Sequence, residues 1–230
     1  MQKAFEKKRA RGVRALELVR ASVNETTSLG RIGAQTDSTP FRVLISTMLS
    51  ARTRDPVTEQ ASARLFQRYK DARALSKAKK TDVKKLIRQV NFYETKTRRI
   101  IEVAKIIDRK YFGRVPENVD ELLLLPGVGR KTANCVLVYA FRKPAIPVDV
   151  HVHRISNRIG LVETVSPEQT EIQLARIYIQ KYWLAVNELF VKFGQTICRP
   201  LAPRCSICSV RSLCNYYQNQ VKSKKRVASS

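Results

Sequence analysis

Apolar residues recur along this chain three and four positions apart and almost nowhere alternate with polar ones, so the pattern predicts an all-α protein without a sheet. The clearest face is Ile100, Ile101, Val103, Ala104, Ile106 and Ile107, within a helix predicted over 94–112 that Gly113 stops. Helix starts are marked by caps and prolines. Ser38-Thr39-Pro40 precedes Phe41, Val43, Leu44 and Met48, Asp55-Pro56 opens a helix to about 69, and Thr81 can cap 82–90. Asn118 with Glu121 resembles a capping box for a short helix ending at Leu125. Further helices are predicted over 130–141, from Asp149 to Ile159 with a stop at Gly160, and from Ser166-Pro167. The N-terminal 1–20 read as an amphipathic helix rather than a transit peptide, because Glu6 and Glu17 interrupt the basic run. The tail from Gln218 is polar and basic enough to be disordered.

Between two of these helices the chain reads Leu125-Pro126-Gly127-Val128-Gly129-Arg130-Lys131-Thr132-Ala133. A proline and two glycines so placed make a tight hairpin whose amides can approach a phosphate. In the helix that follows, Ala133, Val136, Leu137 and Ala140 form the core stripe. Lys131 lies about 200° around from Ala133 and points away from that stripe. In the first helical turn the positive dipole end favours an uncharged amine, which can act as a nucleophile. Asp149, at the start of the next helix, can be an N-cap or a catalytic carboxylate.

Charge narrows the partner. The chain carries 44 Lys and Arg against 19 Asp and Glu, a formal net charge of +25 on 230 residues, well beyond what solubility asks. A polyanion, and nucleic acid before membrane, is the implied partner, since no apolar run approaches the roughly 18 residues of a span. Without a secretory signal pattern the expectation is an intracellular protein.

Four of the five cysteines, Cys198, Cys205, Cys208 and Cys214, fall in one C-x6-C-x2-C-x5-C stretch. In an intracellular chain such clustering favours a four-thiolate metal centre over disulfides, and zinc and iron–sulfur both accept it. Cys135 sits in an apolar helix as core. His151 and His153 are two apart, so they face different sides of a helix and read as structural.

The hairpin at 125–133, the run Val148-Asp149-Val150-His151 and the cysteine quartet, in this order and spacing over about 41–214, resemble the endonuclease III family. These are bifunctional DNA glycosylases and abasic-site lyases of the helix-hairpin-helix superfamily. The resemblance implies two lobes with a DNA-binding cleft between them. One is a six-helix barrel over 33–143, and the other is an iron–sulfur lobe from 1–32 and 144–230. It implies a structural [4Fe–4S] cluster on the four cysteines, a catalytic Lys131, a catalytic Asp149, and damaged duplex DNA as the partner of a monomer. Gly127, Val128, Gly129 and Arg130 would meet the DNA backbone, as would Arg199 and Arg204. Arg52 stands where bacterial members carry glutamine, and Phe92 where leucine is usual. Both would fill the gap left by an extruded base, and both depart from the family pattern. The alternatives are a monofunctional mismatch or adenine-type glycosylase, which lacks the hairpin lysine, and a noncatalytic hairpin module, which needs neither Lys131 nor Asp149.

Overall fold

The computed structural model describes residues 2–23, 33 and 38–228, with side chains to 221, and among them every regular element is helical. Two compact units emerge, one from 1–26 with 146–230 and the other from 27–145. The second unit contains α2 (Pro40–Ser50), α3 (Asp55–Arg68), α4 (Ala72–Ser76), α5 (Lys80–Ile87), α6 (Tyr93–Lys110), α7 (Val119–Leu123) and α8 (Arg130–Phe141). The first contains α1 (Gln2–Arg20), α9 (Val150–Ile159), α10 (Pro167–Ile177), α11 (Trp183–Thr196) and α12 (Asn215–Ala228), with short 3-10 turns among them.

In the second unit, α2 is buried along most of its length and packs against α3, α6 and α8, while α6 also lies along α4 and α5. Leu44, Ile45 and Leu49 of α2 are fully buried, as are Ile100, Val103, Ala104 and Ile107 of the predicted α6 stripe. Ile106 lies at the margin, only half-buried. In the first unit, α1 and α9 pack on α11 through Val19, Val152, Ile155, Phe190 and Phe193.

Sequence-predicted caps are met at Thr39, whose hydroxyl accepts from Arg42 N, and at Ser166, which accepts from Gln169 N. Asn118 Oδ1 accepts from Glu121 N at 2.9 Å and its side-chain Nδ2 donates to the Glu121 carboxylate, a side-chain variant of the predicted capping box. Three details differ. Asp55 is the first helical residue rather than the cap, a place where its charge still faces the positive helix end. Thr81 caps nothing, because α5 starts two residues earlier than predicted with Lys79 as its N-cap and ends at Ile87, where a tight Val90 N to Ile87 O turn takes over. The tail is helical to Ala228 rather than disordered. Lys, Arg, Gln and Val without Gly or Pro propagate a helix already begun at Asn215, and cations suit its C-terminal end.

Truncating Ile107 to alanine removes a fully buried side chain from the α6 stripe. Ile107→Ala is expected to cost about 2–5 kcal/mol in urea unfolding, with the slope unchanged.

Candidate functional site

The hairpin is built by two local bonds, Leu125 N to Leu122 O (3.1 Å) and Val128 N to Leu125 O (3.0 Å). Val128 therefore spends its amide inside the turn, with its side chain buried. Gly127 has φ 79°, a left-handed backbone that glycine alone adopts without strain, and a Cβ there would fall 2.6 Å from Arg99 Cδ. Gly129 is different. Its φ of −97° suits any residue, and a Cβ would meet nothing within 4 Å. The fold does not demand glycine there, whereas a phosphate approaching the backbone does.

Gly129 is also the N-cap of α8, and no side chain closes that helix end. Among the described residues, no protein acceptor takes the amides of Gly127 or Gly129. Arg130 is exposed, and Lys131, in the first turn, is half-buried. This end of α8 is shaped to receive an anion.

Asp149 belongs to the other unit and caps α9. Its Oδ1 accepts from His151 N (2.9 Å) and Val152 N (3.0 Å), so the carboxylate is held in one orientation while half-exposed. The histidines serve the same helix separately, His151 Nδ1 with Arg154 Nη2 (3.1 Å) and His153 Nδ1 with Thr170 Oγ1 (2.7 Å).

Cys198, Cys205, Cys208 and Cys214 line one cavity at the end of α11. None is disulfide-bonded. Burial, then the neighbouring thiols, push the Cys205 and Cys214 thiols up, and burial carries Cys208 to about 11. Among the described residues, no three His, Cys, Asp or Glu side chains are placed to share one metal ion. Two arginines pin the surrounding loop. Arg154 donates to Cys198 O at 2.8 Å. Arg158 reaches Arg199 O (2.7 Å), Pro200 O (2.8 Å) and Cys198 Sγ (3.5 Å), with its guanidinium 4.5 Å from the Tyr216 ring centroid. Arg199 and Arg204 are exposed on that loop.

A family model described as HhH-GPD superfamily base excision DNA repair protein matches residues 45–179, more than half of the chain. Endonuclease III of Thermotoga maritima is 48% identical over 190 residues, covering 83% of this chain and 89% of that protein. A non-covalent endonuclease III–DNA complex superposes with a TM-score of 0.83 at 30% identity, covering 94% of this chain and 98% of the other. A trapped endonuclease III–DNA covalent intermediate gives 0.75 at 34% identity, covering 80% and 86%. The chain belongs to the HhH-GPD superfamily, within its endonuclease III family. It is a base excision repair protein. No helix among the described residues is long and apolar enough to cross a membrane.

This endonuclease III family chain uses other residues that composition and motif reading passed over. Lys96 is buried, with its Nζ bonded to the loop that carries Arg52. The readable signal was its place one turn before Ile100, a lysine on the core stripe of α6. Arg154 and Arg158 lie one turn apart on α9, but nothing in their spacing says that they face the cysteines.

The two glycines separate fold from ligand. Gly127→Ala is expected to cost about 1–2 kcal/mol in thermal unfolding, from left-handed strain and the Arg99 clash. Gly129→Ala should cost less than about 1 kcal/mol, the loss of a favourable cap residue, yet weaken binding to duplex DNA in a fluorescence anisotropy titration.

Proposed function

We propose that the chain acts, as a single subunit, on duplex DNA as a glycosylase and abasic-site lyase for damaged pyrimidines, oxidised ones first, with Lys131 as nucleophile. The observation that carries this reading is the uncapped start of α8. A glycine that the fold does not need stands there, two residues before a half-buried lysine. The hairpin amides of Gly127 and Gly129, with Arg130, grip the backbone beside the lesion, Val128 packs behind them, and Arg199 and Arg204 hold the backbone elsewhere. Arg52 and Phe92 fill the space of the extruded base.

The chemistry needs a neutral amine. Lys131 Nζ attacks C1′, the N-glycosidic bond breaks and the base leaves. After proton loss and ring opening, a Schiff base joins Nζ to C1′. The iminium acidifies C2′, and removal of that proton expels the 3′ phosphate by β-elimination. Asp149, oriented by its cap bonds, stabilises positive charge on the sugar and moves protons. The trapped covalent complex of a 34% identical relative supports an enzyme–DNA covalent step.

The domain assignment follows the same reading: a six-helix barrel over 33–143, and a cluster lobe from 1–32 and 144–230. Cys198, Cys205, Cys208 and Cys214 would hold a [4Fe–4S] cluster. Four free thiols lining one cavity are the donor set that such a cluster takes. The cluster when bound supplies a cross-link that fixes the loop bearing Arg199 and Arg204. Arg158, beside Cys198, offsets the negative charge of thiolates.

Three outcomes follow. Borohydride should trap a covalent adduct between the protein and damaged duplex, and Lys131→Ala should abolish the adduct while binding persists; unchanged trapping in that variant refutes the nucleophile. Asp149→Asn, which keeps the cap because Asn and Asp serve equally there, should slow base release by about 10²–10⁴ with little change in melting temperature. Purified or reconstituted protein should contain about four iron and four sulfide per chain, reduced on Cys208→Ser; zinc in their place would overturn the cluster.

A further inference from the structure

Four exposed residues of the second unit hold a backbone that most residues avoid, Phe112 and Arg142 at helix ends and, facing each other, Arg52 at φ 54° and Phe92 at φ 58°. Left-handed backbone costs a non-glycine residue about 1 kcal/mol or more, so something must maintain it. The two are joined. Asn91 Nδ2 donates to Arg52 O, and the Arg52 guanidinium stands 5.9 Å from the centroid of the Phe92 ring, which is 60% exposed. A cation over an exposed aromatic face, already assembled, can enter a base stack and contact its phosphates at once.

Beneath this pair lies Lys96, 7% exposed on the first turns of α6. Its Nζ donates to Leu49 O (2.7 Å), Ala51 O (2.6 Å) and Thr53 Oγ1 (3.1 Å). An ammonium has three N–H donors, and here all three are used; a neutral amine has two. The carbonyls at the end of α2 lack helical partners, so the lysine also satisfies groups that would otherwise be orphaned. The other charged groups on the elements around it are engaged or turned elsewhere. Arg42 of α2 lies over the Phe66 ring, Lys84 of α5 pairs with Glu94, Asp108 of α6 bonds Ser76, and Arg52, Arg54 and Asp55 belong to the clamped loop itself.

We propose that Lys96 is a positioning residue whose ammonium clamps the 50–54 loop, presenting Arg52 and Phe92 as one preassembled wedge to the gap in lesion-bearing duplex. This rests on the reading above that the chain extrudes a base from duplex DNA. Burial alone lowers the Lys96 pKa from 10.5 to about 8. As pH rises past about 8 the clamp therefore loses its third donor. Global stability moves the other way. The unfolded lysine keeps its proton up to about 10.5, so between these values the unfolded chain binds more protons and stability from this group increases with pH. Alkaline loss of wedge function is thus separable from unfolding.

The test uses full-length protein and a duplex with 2-aminopurine beside a tetrahydrofuran abasic-site analogue, whose fluorescence rises on unstacking. At saturating wild-type protein the rise should be full near pH 7 and decline past about pH 8, without a fall in melting temperature. Lys96→Met should reduce it about fivefold at pH 7, the equivalent of one lost hydrogen bond, and flatten the pH profile, with affinity for undamaged duplex within about twofold. Thr53→Val, which keeps the lysine and removes one acceptor, should move the alkaline midpoint to lower pH, and it decides the matter if the methionine variant does not fold. A wild-type rise and profile in Lys96→Met, or an unmoved midpoint in Thr53→Val, overturns the clamp. The wedge reading fails separately, if Arg52→Ala and Phe92→Ala leave the rise intact. Amide exchange across 51–54 without DNA, faster in Lys96→Met, reports the clamp alone.

Discussion

An open helix N-terminus is the constraint on which the proposed chemistry depends. Elsewhere in this chain Thr39, Asp71, Asn118, Asp149 and Ser166 close helix starts with side-chain oxygens, while α3, α5, α6 and α11 start without a side-chain cap but behind Arg54, Lys79, Phe92 and Tyr182 rather than a glycine. At α8 the cap is Gly129 and no side chain does so. Backbone donors and the positive end of the dipole are thereby kept for an external anion. The same choice places Lys131, the proposed nucleophile, in the first turn of the helix behind that open end.

Positive charge is used here in two physically distinct ways. Most of the 44 lysines and arginines lie on the surface, where they supply long-range attraction to a polyanion that salt weakens. A few are withdrawn from water and act through hydrogen-bond geometry. Arg154 and Arg158 bind loop carbonyls around Cys198, and Lys96 binds the end of α2. Desolvation makes such groups costly, so each is held by several acceptors and each fixes a loop that carries proposed DNA contacts.

In the proposed mechanism Asp149 joins structure and chemistry in one group. Its Oδ1 closes α9 through two amides. A carboxylate immobilised in this way needs no reorganisation when charge develops nearby, which is the condition for electrostatic catalysis. Stability and catalysis are then separable only by a residue that caps equally well and carries no charge, which is what asparagine provides.

By itself the sequence determined whatever depends on neighbours a few residues away. Ser166 before Pro167, Asn118 with Glu121, the stripe from Ile100 to Ile107 and the glycines of the hairpin each act within one or two turns, so their consequences are readable from spacing. The error at the tail, helical rather than disordered, is of the same local kind, since propagation from Asn215 outweighed polarity. What only the tertiary structure decided joins distant parts of the chain. Lys96 meets Leu49 and Ala51, Arg158 of α9 meets the cysteine loop, and Gly127 is the glycine whose backbone and surroundings penalise a side chain where those of Gly129 do not. Such facts depend on which acceptors and which empty space folding brings to a side chain, and no periodicity along the chain records that.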